Sequence, residues 1–314
     1  MEKPNILENA ICLSVTFRMP ANRRKVSTDY VNSDADKSML HLAKDLLDSD
    51  ELRAVQHVIS ETGQWLRRKC LPSMFKKGVY LLSLNRIEEA NEKLARIEAE
   101  DFPNAVERFF QVYPLRVAEA RQRLGTGERG MFDPTEYPEV ETLKPAFGMS
   151  YQYISLDVPG KLSKVGKHFY EEQKSKIAAK MEEAAVKIEW TLYESMKEIL
   201  DHMVARLTPS IGKGGKAKAI SKNSPVVERM KEFLHDFSEN YALVKGASND
   251  EEIAKKIDAV VAKATKILSG VDVEQIRGDE GLRSNLQRDF EQFKATVDSI
   301  LVNKPIRAIS FEDE

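Results

Sequence analysis

The chain has 314 residues, with 48 Lys or Arg against 50 Asp or Glu, a formal net charge of −2 that excludes an overall basic field for nucleic acid or anionic membranes. With 31% charged residues, 42% hydrophobic residues and 15 glycines, it reads as a helix-rich globular chain with ample apolar material for a core. Its two cysteines, Cys12 and Cys70, exclude a disulfide framework and a cysteine-based zinc site, and no apolar run is long enough for a membrane-spanning helix.

So few cysteines point to a reducing, cytoplasmic setting, and the polar start Met1-Glu2-Lys3-Pro4 does not read as a signal peptide. The first strand candidate is 11–18, where Ile11, Leu13, Val15 and Phe17 alternate with smaller or polar residues until Pro20. A polar turn with Arg23, Arg24 and Lys25 follows, and 26–31 is read as a short returning strand. From Asp34 the pattern predicts helix. Leu40, Ala43 and Leu47 share one face. After the 48–50 break, Leu52, Val55, Ile59, Thr62 and Leu66 share another, with Ser49 or Asp50 as N-cap and Pro72 just past the end.

Residues 78–84 fit either a short strand or an apolar loop. Asn85, with Glu88 three residues on, reads as a helix start close to a capping box, with Ile87, Leu94 and Ile97 following. A further helix begins near Phe102-Pro103, carries Val106, Phe109, Phe110 and Tyr113, and continues past Pro114, which bends it, to Leu124. Residues 125–130 form a glycine loop, and 131–147, with Pro134, Pro138 and Pro145, look irregular. The second strand candidate is 151–158. A lone strand is unstable in water, so its natural partner is 11–18, which makes a small β element at the base of helical arms.

One long helix is predicted over about 161–207, with apolar residues at steps of three and four: Phe169 or Tyr170, Ile177, Met181, Ala184, Ile188, Leu192, Met196, Ile199, Met203 and Leu207. The stripe is narrow, which suits a helix packed on one or two others, in a helical core or coiled coil. Residues 210–224 form a basic, glycine-rich linker. Helices follow on Val227, Met230, Phe233 or Leu234, and Phe237; on Ile253, Ile257, Val260, Ala264 and Ile267; and on Leu286, Phe290, Phe293, Val297 and Ile300. An acidic tail occupies 305–314. The domain reading is therefore 1–160 as the β element with an inserted helical arm, 161–209 as the long helix, 210–224 as the linker, 225–304 as a C-terminal helical region, and the tail.

Motifs for chemistry are sparse. Gly212-Lys213-Gly214-Gly215-Lys216-Ala217 departs from a phosphate-binding loop because Ala217 stands where the magnesium-binding hydroxyl belongs. The five histidines, His41, His57, His168, His202 and His235, form no ligand spacing, and Glu182-Glu183 and Glu88-Glu89 read as solvated faces. No cofactor, metal or catalytic residue is expected, and the chain reads as non-enzymatic. Basic clusters at Arg23, Arg24, Lys25, at Arg67, Arg68 and at Lys213, Lys216, with Trp65 and Phe75 as stacking platforms, make up a nucleic-acid alternative. Against it, cations at 67–69 suit a helix C-terminus.

Five segments carry a family resemblance: Leu71-Pro72; Gly78-Val79-Tyr80-Leu81-Leu82; Phe109-Phe110-Gln111-Val112-Tyr113-Pro114; Pro134-Thr135-Glu136-Tyr137-Pro138; and Phe147-Gly148-Met149-Ser150-Tyr151. Together they resemble an uncharacterised family of bacterial and phage proteins, a domain of unknown function, often encoded beside MoxR-type AAA ATPases and von Willebrand A-domain proteins on mobile elements. The resemblance implies a mobile-element origin and a role beside an AAA ATPase, and it carries over no functional residues. The combined expectation is a mainly α protein with elongated helical arms. It would be an assembly or adaptor component that presents Ile177, Met181, Ile188, Leu192, Met196, Ile199 and Met203 for helix packing, with a protein partner or a second copy as its target and no membrane.

Overall fold

The computed structural model describes residues 9–30, 34–72, 78–127, 129–155, 160–208, 210–211, 217–218 and 224–302. It is mainly α. In chain order come β1 (Ala10–Arg18), β2 (Arg23–Val26), β3 (Leu42–Asp45), α1 (Asp50–Lys69), β4 (Leu71–Pro72) and β5 (Val79–Ser83). Next are α2 (Ile87–Arg96), a π-helical turn (Ile97–Asp101), α3 (Phe102–Leu124), the single-turn α4 (Val140–Leu143) and β6 (Gly148–Ile154). Then follow α5 (Lys167–Leu207), β7 (Ser210–Ile211), β8 (Ala217–Lys218), α6 (Val226–Val244), α7 (Glu251–Ser269), α8 (Val273–Gly278) and α9 (Glu280–Leu301).

Four strands form one sheet in the order β4-β5-β1-β6, so β1 and β6 are neighbours, as the two separated alternating segments predict. β6 starts at Gly148, ahead of the expected 151, and ends at Ile154; residues 156–158 lie outside the described residues. The ambiguous segment 78–84 is a strand, β5, paired antiparallel with β4. The chain divides into two units. One comprises 1–12, 68–84 and 155–314, the other 13–67 and 85–154.

The larger unit is a helical bundle. α5 packs against both α6 and α9, and Lys197 to Asp298 (2.5 Å) with Lys294 to Asp201 sets α9 antiparallel to α5. From Met181 onward α5 therefore buries more than the predicted stripe. Met181, Ile188, Met196 and Met203 are buried as expected, Ile177, Leu192 and Ile199 pack half-buried at the edge, and Ala185, Glu189, Trp190, Tyr193 and Leu200 are buried as well. Two partner helices cover two faces, which a single stripe does not show. α5 begins at Lys167, not at 161, because Gly160–Lys164 forms a short 3-10 turn and Gly166 takes the N-cap position. α7 is capped by Asp250, whose carboxylate accepts from the Glu252 and Ile253 N–H groups (both 3.0 Å). The unforeseen α8 carries a capping box, Asp272 with Gln275.

The smaller unit contains one helical run from Ile87 to Leu124, with α2 and α3 joined through the π-helical turn and Pro114 inside α3. Leu84–Arg86 forms a 3-10 turn ahead of α2, so Arg86, not Asn85, takes its cap position. The aromatic residues named for the family resemblance build this core: Phe109, Phe110 and Tyr113 are buried, and Phe147 packs on Phe109 and Phe110 with centroids 5.7 and 5.4 Å away. α1 starts where Ser49 caps it, its hydroxyl accepting from the Leu52 N–H at 3.2 Å. Acids sit in its first turn and Arg67, Arg68 and Lys69 in its last, as the helix dipole favours.

Two expectations fail before α1. The returning strand is 23–26, not 26–31, and its partner β3 lies where helix was expected from Asp34 onward. β3 escapes a sequence reading because its inward-facing residues are Leu42 and Lys44. A half-buried lysine breaks the apolar alternation, and it pairs with Glu136 at 2.5 Å and donates to the Met131 carbonyl. Asn22 then stitches the hairpin base: its side chain donates to Leu47 O (2.7 Å) and accepts from Leu47 N–H (2.9 Å).

Candidate functional site

The amino-terminal turns of α5 stand apart from the rest of the helix. From Lys167 to Lys180 no residue is buried, whereas Met181–Leu207 contributes eleven buried residues. The helix forms here without a covering core because glycine and proline are absent from its interior and Lys176 pairs with Glu172 one turn back, at 2.5 Å. Two large apolar side chains face water at its start, Val165 at 76% and Phe169 at 43% exposure, while Tyr170 and Ile177 are half-buried. In the sequence from 161 to 180 they are accompanied by Lys161, Lys164, Lys167, Lys174, Lys176 and Lys180 against only Glu171 and Glu172. Such a segment offers apolar contact framed by positive charge. It has no grouping of nucleophile and base for catalysis.

The predicted basic residues are dispersed. Arg23, on β2, is held by Asp45 across the ladder at 3.1 Å. Arg24 and Lys25, beside it, are exposed and have no ion pair among the described residues, and the same holds for Arg67 near the end of α1. Arg68 faces Glu232 at 4.0 Å, and Lys69 pairs with the buried Asp236 at 2.9 Å. Lys213, Lys216 and Phe75 lie outside the described residues. Trp65 is buried in the core and is not available as a stacking platform.

The smaller unit also carries a groove of about 910 Å³ lined by Arg23, Arg53, Arg116 and Arg123 together with Asp45, Asp48 and Glu119. Its arginines are all committed. Arg53 and Arg123 reach Asp48 at 2.8 and 2.7 Å, and Arg116 reaches Glu51 at 3.2 Å and Glu119 at 3.0 Å. Hydrogen bonds from Arg53 and Arg123 hold the Asp48 carboxyl down at about 2. The Ser49 hydroxyl, with Arg116 assisting, holds Glu51 at about 2. A phosphate backbone would have to displace these carboxylates, so the groove does not offer four open cations.

Sequence reading missed one constellation entirely. Glu189, fully buried on α5, accepts from the Tyr193 hydroxyl and from the Gly246 and Ser248 N–H groups, all at 2.8 Å. Tyr193 and Tyr241 place their hydroxyl oxygens 3.3 Å apart, and burial raises the pKa of both phenols well above the usual tyrosine range. The only sequence signal is the Glu189–Tyr193 spacing of four; the receiving loop lies more than fifty residues away. Among the described residues no group of three His, Cys, Asp or Glu side chains could hold a metal ion, and no helix is long and apolar enough to cross a membrane. Cys12 and Cys70 are both buried, and burial raises the pKa of Cys12.

No family model, no curated protein and no solved structure matches this chain.

Proposed function

We propose that the protein is a non-enzymatic assembly or adaptor component whose helices, and the open turns of α5 above all, engage a protein partner. The carrying observation is the stretch Lys167–Lys180, helical yet without a buried residue, flanked by the exposed Val165 and Phe169. Short helical stretches without a buried face are marginal in water, so these turns, whose one core contact is the half-buried Ile177, gain from a partner surface. Six lysines against two glutamates between 161 and 180 favour a partner that is apolar with an acidic surround. The likeness of the 71–72, 78–82, 109–114, 134–138 and 147–151 segments to the phage and bacterial family supports a mobile-element setting beside an AAA ATPase. Elongated presentation of the helices and a cytoplasmic place belong to the same reading.

Size-exclusion chromatography with light scattering, read at protein and nucleic-acid wavelengths, tests it. The expected result is a defined assembly free of nucleic acid. Replacing Val165 and Phe169 together by Asp should disperse it into folded monomers with the helical circular dichroism of the native chain, since both side chains are exposed in the single chain. An unaltered assembly in the double variant would refute a role for these turns.

A nucleic-acid-binding accessory is the second reading, favoured by Arg24, Lys25 and Arg67, which have no carboxylate partner among the described residues. It requires co-eluting nucleic acid whose affinity falls steeply with salt and is lost on charge reversal at Arg67 and Arg68. Binding that persists at high salt would exclude it.

A further inference from the structure

A pocket of about 340 Å³ lies in the larger unit between the C-terminal part of α5 and the start of α6. The half-buried Ile199 and the buried Met203 on one helix, with the buried Val226 and Met230 on the other, form its apolar wall. Around them stand Arg206, Arg229 and His202, with Ser224 and Pro225 at the approach. Among the described residues the lining contains no carboxylate. Neither the Arg206 nor the Arg229 side chain makes an ion pair or hydrogen bond among the described residues, whereas the four arginines of the groove in the smaller unit are all matched by Asp or Glu. The pocket thus combines a volume within the range of small-ligand sites with two unmatched guanidiniums, one from each wall.

We infer that this pocket binds a small ligand with one anionic head and a short apolar body. The head, a carboxylate or a phosphate, lies between Arg206 and Arg229, where the planar donor fork of arginine suits two acceptor oxygens. The body covers Ile199, Met203, Val226 and Met230. The α6 N-terminus adds to the same sign of field: its N-cap is Pro225, which provides no side-chain acceptor for the first N–H groups. This site is independent of the adaptor reading, because it lies in the covered half of α5 and not in its open turns.

Titration calorimetry of the full chain with octanoate, octyl phosphate, inorganic phosphate and octyltrimethylammonium tests the inference. Octanoate or octyl phosphate should bind, and whichever binds more tightly identifies the head. Arg206→Gln and Arg229→Gln should each weaken binding about tenfold, and the double variant should abolish it. Arg53→Gln, in the other unit, should leave it unchanged. Melting curves check that the variants are folded, which the exposure of both arginines favours, and Arg229→Lys, which keeps the charge but not the fork, should fall between the two. No binding of either anion at millimolar concentration would overturn the inference, as would equal affinity in the double variant. Inorganic phosphate binding as tightly as octyl phosphate would also overturn it, since the apolar surface would then contribute nothing.

Discussion

At the scale of single residues, Glu189 has the most at stake. A carboxylate with no exposed surface is tolerable only when its oxygens are satisfied, and here three donors converge on it. Two of them are backbone N–H groups of the connection between α6 and α7, where Gly246 (φ 80°) and Asn249 (φ 58°) adopt left-handed backbone. Removing the acceptor leaves those groups buried and unpaired. Glu189→Ala should cost about 3 kcal/mol in chemical denaturation, whereas Glu189→Gln should recover part of that, since it retains one oxygen. A denaturation midpoint unchanged by Glu189→Ala would show that the loop does not depend on the carboxylate. The neighbouring phenols set an alkaline limit. Because the folded-state pKa values of Tyr193 and Tyr241 lie above the unfolded value near 10, their contribution is complete below about pH 10 and is lost as pH rises beyond it. Stability measured between pH 9 and 11 should fall more steeply in the native chain than in a Tyr193→Phe variant.

At the scale of elements, α5 is one helix with two environments. Its 41 residues would extend roughly 60 Å at 1.5 Å per residue, yet apart from Ile177, which packs at the core's edge, only the part from Met181 onward is buried by neighbours. Amide hydrogen exchange should therefore be fast over 167–180 and slow over 184–207 in the isolated protein, because opening an uncovered helical turn exposes no core. Uniform protection along α5 would contradict this division and would mean that the amino-terminal turns are already covered. The β2–β3 hairpin depends on a different device. Asn22→Ala removes both side-chain bonds to Leu47 and should cost about 1–2 kcal/mol, read as a lower midpoint of unfolding. The tight loop after α3 depends on glycine in the same local way. Gly125 has φ 71°, and a Cβ on Gly130 would lie 2.3 Å from Gly125 O, so either position should resist substitution.

At the scale of the whole molecule, each unit carries one tryptophan, Trp190 in the larger and Trp65 in the smaller, so fluorescence can follow them separately. Their charge chemistry differs. Of the carboxylates held below their usual range, Asp29, Asp36, Asp48, Glu51 and Asp133 belong to the smaller unit and Glu183 to the larger. A depressed folded pKa contributes stability above the unfolded value and loses it as pH falls. For Asp48 and Glu51 that window runs from 3.8 and 4.5 down to about 2. In a Trp190→Phe variant, Trp65 emission should therefore shift at higher pH during acid titration than Trp190 emission does in Trp65→Phe. Coincident transitions would show that these ion pairs do not set the acid limit of the smaller unit.

Local repetition along the chain determined a large part of this protein. Steps of three and four predict the apolar faces of α1, α3, α6, α7 and α9 and the packed half of α5. Alternation predicts β1 and its pairing with β6, across more than one hundred intervening residues. These patterns are legible because helix and strand periods are written in consecutive side chains. What only the tertiary structure decided depends on distant donors and acceptors. Lys44, half-buried against Glu136, hides β3; Glu189 finds its loop partners beyond α6; and the four groove arginines of the smaller unit are matched while, among the described residues, Arg206 and Arg229 are not. A charged residue in a sequence has no stated partner, and whether it is a buried anchor, a matched pair or an open cation is settled by what the fold brings beside it.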